Sequence, residues 1–175
     1  MTTTWNIDAS HSEVGFKIRH LMISNVKGHF TNYTATVTTE DDNFETATIQ
    51  FEAEAKTLTT GSEQRDAHLL AEDFFDAGAY PTMKFASSAF TKNSDGSYTV
   101  NGDLTIKGIT KPMQLNAVNT GIAKDPWGQT KTAFEVEGKI NRTDFGLVWN
   151  APLETGGFLL SEEVTIHADV QFVKA

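Results

Sequence analysis

The protein has 175 residues, no cysteine and a formal net charge of −9, from 23 acidic and 14 basic side chains. This length suits one domain with a sizeable core, so we expect residues 1–175 to fold as a single unit. The lack of cysteine excludes disulfides, thiolate metal sites and a cysteine nucleophile, and the acidic balance disfavours nucleic-acid binding.

The first residues, 1–6, have neither the basic region nor the apolar core of a signal peptide. No run approaches the roughly 18 apolar residues that a membrane-spanning helix needs. We therefore expect a cytoplasmic protein from the chain as written, or a periplasmic one if a signal peptide has been removed. In both cases no stable membrane insertion is expected.

Alternating apolar and polar residues predict about eight β-strands along the chain. The first regular row is Val14, Phe16 and Ile18, and His20 continues it at the same parity. Further rows lie at 47–55, 98–107, 132–140 and 164–172, and less regular runs lie at 27–38, 82–91 and 112–121. Short turns such as Lys107-Gly108 separate the strands, which predicts an antiparallel up-and-down sheet.

Residues 60–76 interrupt this alternation. The spacing from Thr60 to Glu63 is that of a capping box, which predicts a helix of roughly ten residues. A short turn through Asp73-Phe74-Phe75-Asp76 follows the helix. We expect this to be the one helical insert in an all-β chain.

Eight amphipathic strands can bury their apolar faces in a two-sheet sandwich or in a closed barrel. Long strands with a single helix favour a barrel that has the helix at one mouth. The interior of an eight-stranded barrel is either filled by side chains or hollow enough for one small ligand. The strand pattern alone leaves both interiors open.

The polar residues give no sign of a catalytic or metal site. The five histidines lack metal-ligand spacing, and no serine lies in a nucleophile elbow. We therefore predict no catalytic residue, no metal and no cofactor. His167 is expected on the outer face, whereas His20 is either a buried histidine bonded to a carbonyl or water, or a polar group that meets a ligand.

Twelve phenylalanines are the strongest compositional feature. They form either an ordinary aromatic core or the lining of an apolar cavity. Arg65, His68, Arg142 and Asp144 lie at predicted helix or strand ends, where they either surround a mouth or form surface ion pairs.

Several blocks, taken together and in this order, resemble the YceI-like family. They include Trp5-x-Ile7-Asp8-x-x-His11-Ser12-x-Val14-x-Phe16, Arg65-x-x-His68-Leu69-x-x-x-Asp73-Phe74-Phe75-Asp76 and Asn141-Arg142-x-Asp144-Phe145-Gly146-Leu147-x-Trp149-Asn150. The resemblance covers nearly the whole chain. It departs from the family pattern at Tyr33 and Ala35, where a second Phe and then a Gly are usual.

The resemblance implies a lipocalin-like, eight-stranded antiparallel barrel with a hollow interior. It also implies that the barrel binds a long-chain isoprenoid or similar amphiphilic lipid, as a carrier, storage or sequestration protein and not as an enzyme. A homodimer is common among such barrels. Two alternatives are retained: a solid-core barrel with a structural or stress-related interaction role, and an enzyme that acts on an isoprenoid with His20 as its acid or base.

Strand parity and the resemblance together predict the ligand site. The expected tunnel wall consists of twelve residues: Phe16, Ile18, Phe51, Leu69, Phe74, Phe75, Phe85, Leu104, Ile106, Phe134, Phe145 and Trp149. Four polar residues are expected at the mouth, beside the head group of the ligand: His20, Arg65, His68 and Arg142. Leu69, Phe74 and Phe75, from the helical insert, are the expected lid.

Overall fold

The computed structural model describes all residues 1–175 and contains eleven β-strands and one α-helix. The strands are β1 (Thr2–Ile7), β2 (Glu13–His20), β3 (Ser24–Phe30), β4 (Tyr33–Glu40), β5 (Asn43–Glu54), β6 (Leu58–Thr59), β7 (Thr82–Lys92), β8 (Tyr98–Ile106), β9 (Ile109–Lys124), β10 (Thr130–Asn141) and β11 (Leu160–Lys174). The helix is α1 (Glu63–Leu70), and three 3₁₀ segments lie at Ala9–His11, Ala55–Thr57 and Arg142–Phe145.

Eight strands close into a barrel in the order β1, β4, β5, β7, β8, β9, β10, β11 and back to β1. All pairings are antiparallel. The expected eight-stranded barrel is confirmed, and the sandwich alternative is wrong. Strands β2, β3 and β6 extend the ring at one end, where β2 pairs with β11 and β3, and β3 pairs with β6.

Two of the barrel strands are bent into halves. β1 and β2 follow each other along β11, β1 opposite Phe172–Lys174 and β2 opposite Leu160–Asp169. β3 and β4 are likewise separated at residues 31–32, where the sequence predicted one run over 27–38. Eleven strands thus form a barrel that is eight strands around.

Asp8 and Ser12 hold the bend between β1 and β2. Oδ1 of Asp8 accepts hydrogen bonds from the N–H and the hydroxyl of Ser10, at 3.2 and 2.6 Å. The hydroxyl of Ser12 donates to the Asp8 carbonyl and accepts from the N–H of Gln171 on β11. The hydroxyl of Tyr33, at the start of β4, donates to the Ser12 carbonyl at 2.9 Å. These contacts tie both bends to the same level of the barrel.

Strand β1 closes the ring, although the sequence pattern did not predict it. Its residues 2–4 are three threonines, which lack the apolar alternation of the other strands. Trp5 pairs with Val37 on one side and Lys174 on the other, and its side chain is completely buried. Its indole Nε1 donates to the Thr39 hydroxyl at 3.3 Å.

Aromatic rings fill the barrel at the end that holds the chain termini and the turn at residues 93–97. We call this cluster the aromatic plug: Trp5, Phe44, Phe90, Tyr98, Phe134 and Phe172. Phe134 is its centre, and its ring lies 5.1 Å from Phe44 and 6.4 Å from Phe172, both edge-on. Such edge-to-face pairs stabilise a core beyond simple burial. The plug closes this end of the interior.

The helical insert lies at the opposite end, between β6 and β7. Helix α1 has eight residues, and its cap is Ser62, whose hydroxyl accepts from the N–H of Arg65. The predicted cap at Thr60 is wrong, because its hydroxyl and N–H donate to Asp66 instead, at 2.6 and 2.8 Å. The turn of residues 71–80 then leads into β7. At this length and polarity α1 cannot cross a lipid bilayer.

Replacement of Trp5 by alanine tests the role of β1. The substitution removes a fully buried indole from the plug, so we expect Trp5→Ala to lower the free energy of unfolding by about 3–5 kcal/mol. Trp127→Ala is the matched control, because Trp127 is 84 % exposed, and it should change stability by less than about 0.5 kcal/mol. Urea denaturation measures both. Equal losses from the two variants would contradict the role assigned to β1.

Replacement of Asp8 by asparagine tests the bend. Hydrogen bonds from Ser10 and His11 lower the pKa of Asp8 from 3.8 to about 2. The charged form is thus stabilised by folding, a gain that is complete above pH ~4 and lost as the pH falls through about 2. We expect Asp8→Asn to cost about 1–2 kcal/mol at pH 7.

The two proteins should converge in stability between pH 4 and pH 2, which urea denaturation at pH 7, 4 and 2 can follow. Asp103→Asn is the control, because Asp103 is exposed on β8. A stability difference between Asp8→Asn and the parent protein that is independent of pH would show that the carboxylate charge does not hold the bend.

Candidate functional site

The barrel encloses an apolar cavity of about 360 Å³. This volume is within the range of small-molecule sites, about 300–1,000 Å³. Of the 39 residues that line it, 34 are hydrophobic. The other five are Gly15, His20, Arg65, His68 and Arg142. The interior is therefore hollow and almost entirely hydrocarbon and aromatic.

The cavity wall follows from the pleat of the strands, which turns every second side chain inward. On β10 the inward residues are Phe134, Val136 and Ile140. On β11 they are Val164, Ile166, Ala168, Val170 and Phe172. The floor is formed by Phe90, Phe134 and Phe172, which belong to the aromatic plug. The cavity thus ends at the plug, and residues of α1 line it at the opposite end.

Two inward-facing glycines make room for phenylalanine rings of neighbouring strands. A Cβ at Gly102 would lie 2.6 Å from the Phe85 ring, and a Cβ at Gly28 would lie 2.6 Å from the Phe16 ring. No real Cβ contact is so short, so each ring occupies the space that a side chain would fill. Phe85 and Phe16 therefore lie against the backbone of the next strand.

Eleven of the twelve predicted wall residues line the cavity: Phe16, Ile18, Phe51, Leu69, Phe74, Phe75, Phe85, Leu104, Ile106, Phe134 and Trp149. Phe145 is the exception. It is only 2 % exposed, but it packs in the core outside the cavity. The reason is local: β10 ends at Asn141, and the 3₁₀ segment that follows does not continue the alternation of a strand.

Sequence reasoning left several lining residues unnamed. Strand parity could have found Val164, Ile166 and Val170 on β11, because they lie in a regular row. Met113 and Leu115 lie in the less regular run of β9, where the signal was weak. Leu147 and Leu159 lie in the long loop between β10 and β11, for which periodicity gives no prediction.

All four predicted polar residues line the cavity at the end opposite the plug. We call this end the mouth: it comprises the insert at 60–80, the turn at 21–23 and the loop at 142–159. Contacts among these segments and with the neighbouring β8–β9 turn hold it together. The Lys107 ammonium, in the turn between β8 and β9, donates to the Glu72 carbonyl at 2.7 Å. The N–H of Leu21 donates to the Leu159 carbonyl at 2.8 Å.

Arg142 is far more buried than the sequence suggested, at 2 % exposure. Its Nε donates to the Ser161 carbonyl at 2.8 Å. Its Nη1 donates to the carbonyls of Leu147 and Trp149, at 2.6 and 2.9 Å. The guanidinium thus ties the loop after β10 to the start of β11. Burial lowers the pKa of Arg142 from its ordinary value.

His68 and the aromatic residues of the insert cover the mouth. The imidazole lies edge-on to the rings of Phe74 and Trp149, at centroid distances of 5.1 and 4.8 Å. Its Nε2 is 2.9 Å from Oδ2 of Asp73. The ring of Phe75 meets Phe30 of β3 edge-on at 6.3 Å. The insert therefore forms part of the cavity wall at this end.

Large apolar side chains are exposed beside the mouth. Met22 and Ile23, in the turn between β2 and β3, are 68 % and 80 % exposed, and Phe158 is 58 % exposed. Leu21 and Met22 also have positive φ values of 55° and 62°, which L-residues adopt rarely. The rim of the mouth is thus apolar on the outside as well.

Other groups with a shifted pKa lie away from the cavity: Asp8, Tyr33, Asp95 and Asp125. Their partners are structural. Hydrogen bonds from the hydroxyl and N–H of Ser97 hold the pKa of Asp95 below its ordinary value. Burial raises the pKa of Tyr33. No cluster of three or more His, Asp or Glu side chains forms a set that could hold a metal ion.

Comparison with known proteins identifies the family. The model of the YceI-like domain matches residues 5–172. A UPF0312 protein of Staphylococcus aureus strain N315 is 35 % identical over 171 residues, which cover 97 % of each chain. The crystal structure of the Campylobacter jejuni YCEI protein is 34 % identical, with a TM-score of 0.77 and 95 % of each chain covered.

Two more distant structures share the fold. BcnA of Burkholderia cenocepacia has a TM-score of 0.80 at 22 % identity, over 94 % of this chain and 98 % of that one. A polyisoprenoid binding domain from Saccharophagus degradans has a TM-score of 0.66 at 12 % identity, over 98 % of each chain. With a family match over nearly its whole length and a closed eight-stranded barrel, the chain belongs to the YceI-like family.

Proposed function

We propose that this protein binds a long-chain isoprenoid or similar amphiphilic lipid inside the barrel, as a carrier, storage or sequestration protein and not as an enzyme. The observation that carries this proposal is the cavity, which is apolar along its wall, closed at the aromatic plug and polar only at the mouth. A molecule with an apolar chain and one polar end matches that distribution. The hollow interior also disfavours the alternative of a solid-core barrel.

The energetics favour a hydrocarbon chain. Each CH₂ group that leaves water for an apolar interior contributes roughly 0.8 kcal/mol, and this contribution needs no directed contact. A polar group placed along the wall would lose its hydrogen bonds to water without replacement, which costs a few kcal/mol. The wall should therefore accept chains of different lengths and reject chains with internal polar groups.

The known relatives support the ligand class at the level of the fold. The domain from Saccharophagus degradans is described as polyisoprenoid-binding, and it has the same barrel. That description supports the proposed ligand class, for which the apolar wall of this protein would be a matching surface.

The lining favours binding over catalysis. It contains no hydroxyl, carboxylate or amide side chain that could act as a nucleophile or orient a base. His20 and His68 are the only imidazoles in the cavity, and His68 is paired with Asp73. An enzyme acting on an isoprenoid would have to use one of these two imidazoles as its acid or base.

Extraction of the purified protein tests the proposal directly. The protein is purified without detergent and extracted with organic solvent, and the extract is analysed by mass spectrometry. We expect a prenyl or acyl lipid at close to one molecule per barrel. A clean extract, followed by no uptake of farnesol, a longer prenol or hexadecanoic acid, would contradict the proposal.

A substitution that fills the cavity tests its position. Ala168 faces the interior from β11, so a phenylalanine there should occupy space that the lipid needs. We expect Ala168→Phe to fold, because its ring enters empty volume, and to retain less than a tenth of the co-purified lipid. The comparison of lipid-to-protein ratios by mass spectrometry measures this.

Ala86→Phe is the matched control, because Ala86 is exposed on the outer face of β7. It should retain the full amount of lipid. If Ala168→Phe folds with an unchanged melting temperature and still carries lipid at the parent ratio, the ligand does not lie at this level of the barrel.

A further inference from the structure

The charged groups of the cavity all have one sign. Although the chain has 23 acidic residues against 14 basic ones, no Asp or Glu lines the cavity. The two residues there with a permanent charge are Arg65 and Arg142, and both are cations. His20 and His68 are the other two polar side chains of the lining, so all of its polar side chains are imidazoles or guanidinium groups. This arrangement is the reverse of the overall charge of the molecule.

Arg142 is a buried cation that forms no ion pair. Its three hydrogen bonds go to backbone carbonyls, and the ion pairs of the protein join other residues. Glu162 acts on its charge from an exposed position on β11. A buried charge without a counter-ion is costly unless another group compensates it. An anion from outside the protein would supply that compensation.

The third nitrogen of the guanidinium is available for such an anion. The hydrogen bonds of Arg142 use Nε and Nη1 but not Nη2. Nη2 has no hydrogen-bond partner, yet it is not fully buried, because Oδ2 of Asp125 is the only fully buried side-chain polar atom that lacks one. Nη2 therefore keeps some accessible surface. Arg142 also lines the cavity, so a side chain of the cavity wall carries a guanidinium nitrogen that has no hydrogen-bond partner.

Arg65 adds a second cation at the outer edge of the mouth. Its Nε and Nη2 donate to the hydroxyl and the carbonyl of Thr60, at 2.7 and 2.8 Å. These bonds fix the guanidinium, and it forms no ion pair, although the Asp66 carboxylate accepts from the same Thr60 hydroxyl at 2.6 Å. Both arginines line the cavity, Arg65 as an exposed residue and Arg142 as a buried one.

We propose that the ligand has an anionic head group, a carboxylate or a phosphate, and that Arg142 binds it at the inner end of the mouth with Arg65 at the outer edge. This inference rests on the proposed lipid-binding function and adds the charge of the ligand to it. Guanidinium groups bind both anions through short, charge-assisted hydrogen bonds. Neutral lipids and cationic amphiphiles would leave Arg142 without a counter-ion.

The test compares ligands that differ only in the head group. Full-length protein freed of lipid is titrated calorimetrically at pH 8 with hexadecanoic acid, hexadecan-1-ol and the hexadecyltrimethylammonium ion. We expect the acid to bind at least tenfold more tightly than the alcohol, and the ammonium ion to bind most weakly. Farnesyl phosphate and farnesol repeat the comparison for a phosphate.

Substitutions locate the binding group. In Arg142→Gln the preference for acid over alcohol, taken as the ratio of the two affinities measured on the same variant, should fall below threefold. Arg65→Gln should reduce the preference partially. Arg19→Gln is the matched control, because it removes the same charge from the exposed outer face of β2 and should leave the preference unchanged.

The outcomes separate the two proposals. Equal affinity for acid and alcohol in the parent protein, or a preference for the ammonium ion, overturns the anionic head group and leaves the lipid-binding function intact. Failure of every probe to bind contradicts the lipid-binding function itself. If Arg142→Gln does not fold, as judged by its thermal unfolding, the acid, alcohol and ammonium titrations of the parent protein and of Arg65→Gln still test the anionic head group.

Discussion

Closure of the sheet is the constraint on which the rest of this structure depends. An eight-stranded ring has a nearly fixed diameter, so its interior is either just filled by side chains or just able to hold a narrow ligand. This protein does both, at different levels. At the plug, Trp5, Phe44 and Phe134 fill the cross-section. Above it the centre stays open, because Ala168 has a short side chain and Gly102 lets the Phe85 ring lie against the strand backbone.

The bends between β1 and β2 and between β3 and β4 make the two ends of the barrel different. β1 stops at Ile7, and the turn held by Asp8 shifts β2 onto a different stretch of β11. β2 and β3 thus continue beyond the closed ring, and the helical insert and the loop after β10 complete the wall around them. The polar side chains of the cavity all belong to this extension or to the loops that cover it.

Much of the barrel could be predicted from residue alternation, and the failures have physical reasons. Rows such as Val14, Phe16 and Ile18 mark a strand with one face toward solvent and one toward the interior. Strand parity therefore also identified most of the cavity wall. Strand β1 was not predicted, because its threonines carry no apolar alternation. Only the closed barrel shows that the side chain of Trp5 is buried and fixes this strand. Phe145 was misplaced because parity ends where the strand ends.

The polar residues show a similar limit. Parity and resemblance placed Arg142 at the mouth, but neither could reveal that its guanidinium is buried among carbonyls, since those carbonyls lie on a loop with no regular pattern. That burial gives Arg142 two roles that depend on each other. The bonds from Nε and Nη1 position the loop that carries Trp149, and they leave Nη2 of this cavity-lining residue without a hydrogen-bond partner. The group that assembles the mouth therefore also sets the charge that a ligand meets there.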